Sequence, residues 1–150
     1  MHIKIIYTSI TGNTELVCQQ VTEYLEKHDH QVSLERCQLT DITTLKDCDC
    51  LIFASPTYAH GELQVYFQQF LNKISDQYFT NQPCAVIGLG DPKYDDDYTV
   101  ESARILSDFF EARGAHQILS PLKVERCPLP QLETKVKEWT NQLISKLPNT

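Results

Sequence analysis

The sequence predicts an α/β fold: a doubly wound, five-stranded parallel sheet with helices on both faces. Two observations carry that prediction. Short apolar runs rich in β-branched residues recur along the chain, and helix-length segments with apolar stripes separate them. Strands that alternate with helices are joined by right-handed crossovers, which leave the strands parallel and cover the sheet on both sides.

The first strand is expected at Ile3 to Tyr7, followed by a helix in which Val17, Val21, Tyr24, Leu25 and His28 share one face. The second strand spans Val32 to Arg36, and the third Leu51 to Ala54. Leu63, Phe67, Phe70, Leu71 and Ile74 then mark the next helix by their spacing. After a fourth strand at Ala85 to Leu89, the segment Val100 to Arg113 reads as a helix stopped by Gly114. A fifth strand is expected at about Gln117 to Val124. The last helix carries a stripe of Leu129, Leu132, Val136, Trp139, Leu143 and Leu147, too short for a coiled coil and suited to packing on the sheet.

A chain of 150 residues that is 41% apolar can bury one core without metals or disulfides, so residues 1–150 are read as a single domain. A net charge of -7 argues against a nucleic-acid partner, which demands clustered Lys and Arg, and suits docking to basic proteins instead. The six cysteines form no dense disulfide framework. Reduced thiols fit a cytoplasmic protein. The opening "MHIKIIYTSI" is too soon interrupted for a signal peptide, and no stretch is long enough to span a membrane. A monomer is expected. Cys48 and Cys50 in "CDC" should share one side of a strand as small filler, and His28 and His30 should interact with the carboxyl end of the first helix. No metal site is expected.

Ligands of doubly wound sheets bind beyond the carboxyl ends of the strands. The loops after strands one, three and four are "TSITGNT", "SPTYAHGEL" and "GLGDPKYDDDYT". In the first, Thr8, Ser9, Thr11, Asn13 and Thr14 offer side-chain donors, and Gly12 lets the backbone turn where the helix begins. Free amides at that positive helix end suit a phosphate, although Ser and Thr also cap helices routinely, and the loop alone fits either use. The lysine-bearing triphosphate signature and the dinucleotide G-x-G-x-x-G pattern are both absent. The other two loops decide the matter. Tyr58 and Tyr94 sit just past strand ends among Gly, Pro, Asp and His, where core aromatics are rare, and could flank a flat ring. A planar ring with a phosphate tail describes flavin mononucleotide (FMN).

These loops resemble those of the flavodoxins: "SITGNT" is similar to their phosphate loop, "PTYAHGEL" to the loop that lays one aromatic over the flavin, and "GLGDPKY" to their third loop. The resemblance implies the flavodoxin-like strand order 2-1-3-4-5 and, with no long insertion in Gln117 to Pro128, the short-chain branch. It implies an FMN site formed by Thr8, Ser9, Ile10, Thr11, Gly12, Asn13 and Thr14, by Pro56, Thr57, Tyr58, Ala59, His60 and Gly61, and by Gly90, Asp91, Tyr94 and Asp97. Ser9, Thr11, Asn13 and Thr14 would meet the phosphate, Tyr58 and Tyr94 would sandwich the ring, and Asp91 would lie by its pyrimidine side.

Two departures stand out. Flavodoxins usually have Gly and Asp where this chain has Ala59 and His60. A Cβ penalises the positive φ of the peptide flip that accompanies reduction, so Ala59 should weaken semiquinone stabilisation by ~1 kcal/mol. His60 titrates near neutrality and could make the potential vary with pH. After Tyr94, Asp95, Asp96 and Asp97 leave the register of Tyr98 open and could be simply solvated or add negative field at the ring.

The function implied is a low-potential one-electron carrier exchanging electrons with donor and acceptor redox proteins, with no residues given over to substrate turnover. The alternatives are a flavin-dependent NAD(P)H:quinone reductase, which needs extra loops for a substrate pocket, and a flavodoxin-like activator of a metallocofactor. A receiver-like module needs acids where Thr8, Ser9 and Ser55 stand.

Overall fold

The computed structural model describes residues 1–58, 61–91 and 100–147. In chain order the elements are β1 (His2–Tyr7), α1 (Asn13–Glu26), β2 (Gln31–Arg36), β3 (Cys50–Tyr58), β4 (Glu62–Leu63), α2 (Val65–Lys73), β5 (Pro83–Gly90), α3 (Glu101–Ala112), β6 (His116–Gln117), β7 (Leu122–Glu125) and α4 (Lys137–Lys146). The long strands lie parallel in the order β2-β1-β3-β5, with β6 and β7 both beyond β5. The doubly wound order is therefore the one expected, with seven strands among the described residues in place of five.

The extra two have local causes. Pro121 has no N–H to give a ladder, and the Ser120 carbonyl accepts from Trp139 Nε1 at 2.9 Å, so the fifth strand position is divided into β6 and β7. At the other site β3 continues to Tyr58, beyond the Ala54 end expected, and β4 folds back antiparallel on Thr57 and Tyr58. That turn carries Gly61 at φ 68, a conformation glycine adopts without steric cost.

Strands covered on both faces send alternate residues into two separate cores. Ile5, Ile52 and Ile87 join Val17, Val21, Leu25, Trp139 and Leu143 on the α1/α4 side. Ile6, Phe53 and Val86 join Phe67, Phe70, Leu106 and Phe110 on the α2/α3 side. Phe53 is the hub of that second layer, with ring centroids 4.4 Å from Phe110, 5.4 Å from Phe67 and 5.8 Å from Phe70. Each such side chain taken fully from water contributes about 1.5–3 kcal/mol.

The last helix differs from expectation. A 3₁₀ turn over Leu129–Gln131 and a π-helical turn over Leu132–Val136 precede α4, and Leu129 is 63% exposed. The chain enters the helix through these irregular turns, so the buried stripe comprises Val136, Trp139, Leu143 and Leu147. Cys48 and Cys50 do not share a side: the strand begins at Cys50, which lies in the α1/α4 core, while Cys48 lies in the turn before it and in the opposite core. All six cysteines are free thiols. Burial raises the Cys37 thiol to about 11 and that of Cys84 to about 12, so both stay protonated as apolar filler. His28, expected on the apolar face, is exposed and donates from Nδ1 to the Tyr24 carbonyl at 2.9 Å, within the last turn of α1. Among the described residues no cluster of His, Cys, Asp and Glu could hold a metal, and no helix is long and apolar enough to cross a membrane.

Candidate functional site: a cavity at the carboxyl ends of the strands

A cavity of about 860 Å³ opens where β1, β3, β5 and β7 end. Ile10, Thr11, Asn13 and Thr14 form one wall. Pro56, Thr57, Tyr58 and Glu62 form the next, and Leu89, Gly90 and Asp91 the third. Arg126 and Cys127, past the end of β7, close the fourth. The volume falls in the range of about 300–1,000 Å³ that ordinary ligand clefts occupy.

The first wall is a backbone device. Gly12, at φ 95, is the N-cap of α1 and offers no side-chain cap. Ser9 Oγ accepts from the Gly12 amide at 3.1 Å and the Glu15 amide at 3.4 Å, so this hydroxyl shapes the loop from behind. Among the described residues the amides of Asn13 and Thr14 have no acceptor, and they stand at the positive end of a 14-residue helix. Thr8 is also set back: its side chain is fully buried, and its hydroxyl donates to Gln64 Oε1 at 2.9 Å. Gln64 Oε1 in turn accepts from the Tyr66 and Phe67 amides, capping α2 and tying the first loop to the third strand's turn. Behind the loop, Arg36 Nη1 donates to the Ser9 carbonyl at 3.4 Å, while Nη2 pairs with Glu15 at 3.1 Å.

The opposite wall is made of side chains. Tyr58 is 39% exposed at the end of β3, and partial burial raises its phenol above the ordinary tyrosine range, so it stays neutral. Beneath it, Thr57 Oγ1 donates to Ser102 Oγ at 2.9 Å and accepts from the Ser102 amide at 3.0 Å. Ser102 Oγ donates to the Ser55 carbonyl at 2.9 Å. Those bonds fasten the end of β3 to the start of α3. Gly88 permits the close approach: a Cβ there would come 2.8 Å from Ala103 Cβ and 2.9 Å from the Ala103 amide nitrogen.

Of the residues expected at the site, Ile10, Thr11, Asn13, Thr14, Pro56, Thr57, Tyr58, Gly90 and Asp91 line this cavity together. Thr8, Ser9, Gly12 and Gly61 support its edges without lining it. Ala59, His60, Tyr94 and Asp97 lie outside the described residues. Glu62, Leu89, Arg126 and Cys127 line it without having been expected. The signal for the last two was present, since the carboxyl-end rule applies equally to the fifth strand and points to "VERCP".

The uncapped helix start, the aromatic wall and the switch between β1 and β3 define a doubly wound protein with a site for a flat, phosphate-bearing cofactor. A family model described as flavodoxin matches residues 5–139, and the chain belongs to that family. It is 24% identical over 145 residues to "Probable flavodoxin 2" of Bacillus subtilis, covering 96% of this chain and 95% of that one. It is 28% identical to Flavodoxin 1 of Escherichia coli, a match that spans 74% of this chain and 62% of the longer relative. The crystal structure of oxidised Flavodoxin 2 from Bacillus cereus superimposes with a TM-score of 0.89 at 28% identity, covering 97% of this chain and 99% of that one. FMN is the cofactor of the flavodoxin family. The donor set fits it: free amides and neutral hydroxyls at one end of the cavity, and the Tyr58 ring on another wall.

Proposed function

We propose that this chain is a low-potential one-electron carrier that binds FMN non-covalently and passes electrons between redox proteins, acting as a cytoplasmic monomer whose 150 residues form one FMN-binding domain. The observation that supports it most is the single cavity joining the uncapped start of α1 to Tyr58. Thr11, Asn13 and Thr14, with the amides of the loop that Ser9 and Gly12 shape, would hold the phosphate. Tyr58 and Tyr94 would enclose the ring, with Gly90 and Asp91 at its edge. Bound FMN supplies the redox chemistry. Glu62 and Asp91 line the same cavity, so their carboxylates oppose further negative charge there and favour a strongly reducing carrier.

The test is addition of FMN to purified apoprotein, followed by anaerobic titration with dithionite under visible absorption. Stoichiometric binding and two well-separated one-electron steps are the expected result. A protein that takes up no FMN, or one that accepts both electrons together and oxidises NADPH without a reductase, would overturn the reading. Replacing Tyr94 by Ala should weaken FMN binding by ~1 kcal/mol, the scale of a lost aromatic stack.

A further inference from the structure

We infer that Arg126 is a charge-compensating residue of the cofactor site, one that favours the reduced, more negative form of FMN; this rests on the FMN reading above. Arg126 is the one basic residue among the described residues lining the cavity, where its exposed side chain shares the lining with Glu62 and Asp91. No ion pair joins it to another described residue. The backbone holds it there at a cost. Arg126 has φ 64, a left-handed conformation that suits Gly, Asn or Asp. Four described non-glycine residues have positive φ; Asp29 and Asn81 belong to types that tolerate it, Val100 is buried behind Gly90, and Arg126 lines the cavity. Strain of that kind persists where surrounding bonds over-determine the conformation.

Those bonds are present. The Arg126 amide donates to the Gly90 carbonyl at 2.7 Å, fixing the residue beside the third wall. Gln131 Nε2 grips the carbonyls on either side, donating to Glu125 at 2.8 Å and to Cys127 at 2.9 Å. The guanidinium is thus carried by a turn tied to Gly90 and to the residues just before α4. Two electrons and one proton convert the neutral oxidised ring into a reduced ring bearing one negative charge. A cation on this exposed side chain at the cavity stabilises that form more than the neutral one, in a partly screened way, and it partly offsets Glu62 and Asp91. Arg126 would therefore temper the reducing power that the two carboxylates create.

The experiment measures dissociation constants for oxidised FMN and for dithionite-reduced FMN in the wild type, Arg126→Gln and Arg126→Lys, at low and high salt. Arg126→Gln should raise the reduced-to-oxidised ratio of dissociation constants by roughly three- to tenfold, as expected for a partly screened unit charge. Arg126→Lys should restore most of the ratio, and high salt should shrink the difference. An unchanged ratio would overturn the inference, including the case in which both constants rise equally because the guanidinium serves the phosphate or the fold. A wild type that binds no FMN would overturn this inference together with the reading beneath it, whereas binding with an unaltered ratio overturns this inference alone.

Discussion

At the α1 end of the cavity the backbone provides the donors, and at the β3/β5 end side chains provide the walls. The first end is short-range: Ser9, Gly12 and the amides of Asn13 and Thr14 all lie within one turn of chain. The second is assembled from residues far apart in sequence, since Thr57 reaches Ser102 across 45 positions and Arg126 binds Gly90. An end built from local backbone tolerates side-chain change as long as the turn survives. An end built from distant segments depends on how those segments pack, so a substitution well beneath the cavity can move its wall.

The largest expected effect follows from that difference. In Gly88→Ala the new methyl would meet Ala103 Cβ, the Ala103 amide and Val100 Cγ1, all within 2.9 Å, and the backbone atom cannot yield as a side chain would. Overpacking of this kind costs about 1–3 kcal/mol, and the upper part of that range applies where backbone is struck. Chemical denaturation of the apoprotein should register the loss, and FMN affinity should fall because α3 is pushed from the wall. Unchanged stability would mean that β5 and α3 part easily, and the ring end would then be as forgiving as the other.

Next in size is Ser102→Ala. The substitution removes the acceptor of the Thr57 hydroxyl and the side-chain donor to the Ser55 carbonyl in a buried site, while the amide of residue 102 still donates to Thr57 Oγ1, an effect of about 1–2 kcal/mol. Because Thr57 lines the cavity, FMN binding should weaken as well, although Ser102 itself does not line it. Full retention of affinity with lowered stability would show that the Thr57 wall does not need its anchor.

The same division explains what was legible in the sequence. Strand and helix positions follow from period and β-branching, and the first wall of the cavity follows from five polar side chains around one glycine. Local chemistry is written locally. The split of the fifth strand combines Pro121, which is visible in the sequence, with a tertiary bond from Trp139 to the Ser120 carbonyl, which no local pattern contains. The start of the last helix is not legible from apolar periodicity, which runs unbroken through the 3₁₀ and π-helical turns that precede α4. Thr8 looked like a ligand donor from composition, yet its hydroxyl is taken by Gln64, 56 positions away. Arg126 and Cys127 carry little signal in the sequence, because the fifth strand's loop is short and ordinary in composition and only the packing of β7 beside β5 brings it to the cavity.

The smallest effect, and the one that separates the two ends most cleanly, is Gly12→Ala. A Cβ at Gly12 has nothing within 4 Å, so no clash arises, and the whole penalty comes from holding alanine at φ 95. That is about 1 kcal/mol, either as lost apoprotein stability or as a loop that relaxes and misaligns the Asn13 and Thr14 amides. Riboflavin, which has the ring without the phosphate, distinguishes the two ends by titration. If the α1 end binds only phosphate, Gly12→Ala should weaken FMN binding several-fold and leave riboflavin binding unchanged, while Ser102→Ala should weaken both. Equal losses for the two ligands in Gly12→Ala would mean that the Thr8 to Gln64 bond, which joins the first loop to the start of α2, transmits the strain to the aromatic wall. The cavity would then behave as one cooperative unit, and the contrast between its ends would describe how they are built without describing how they bind.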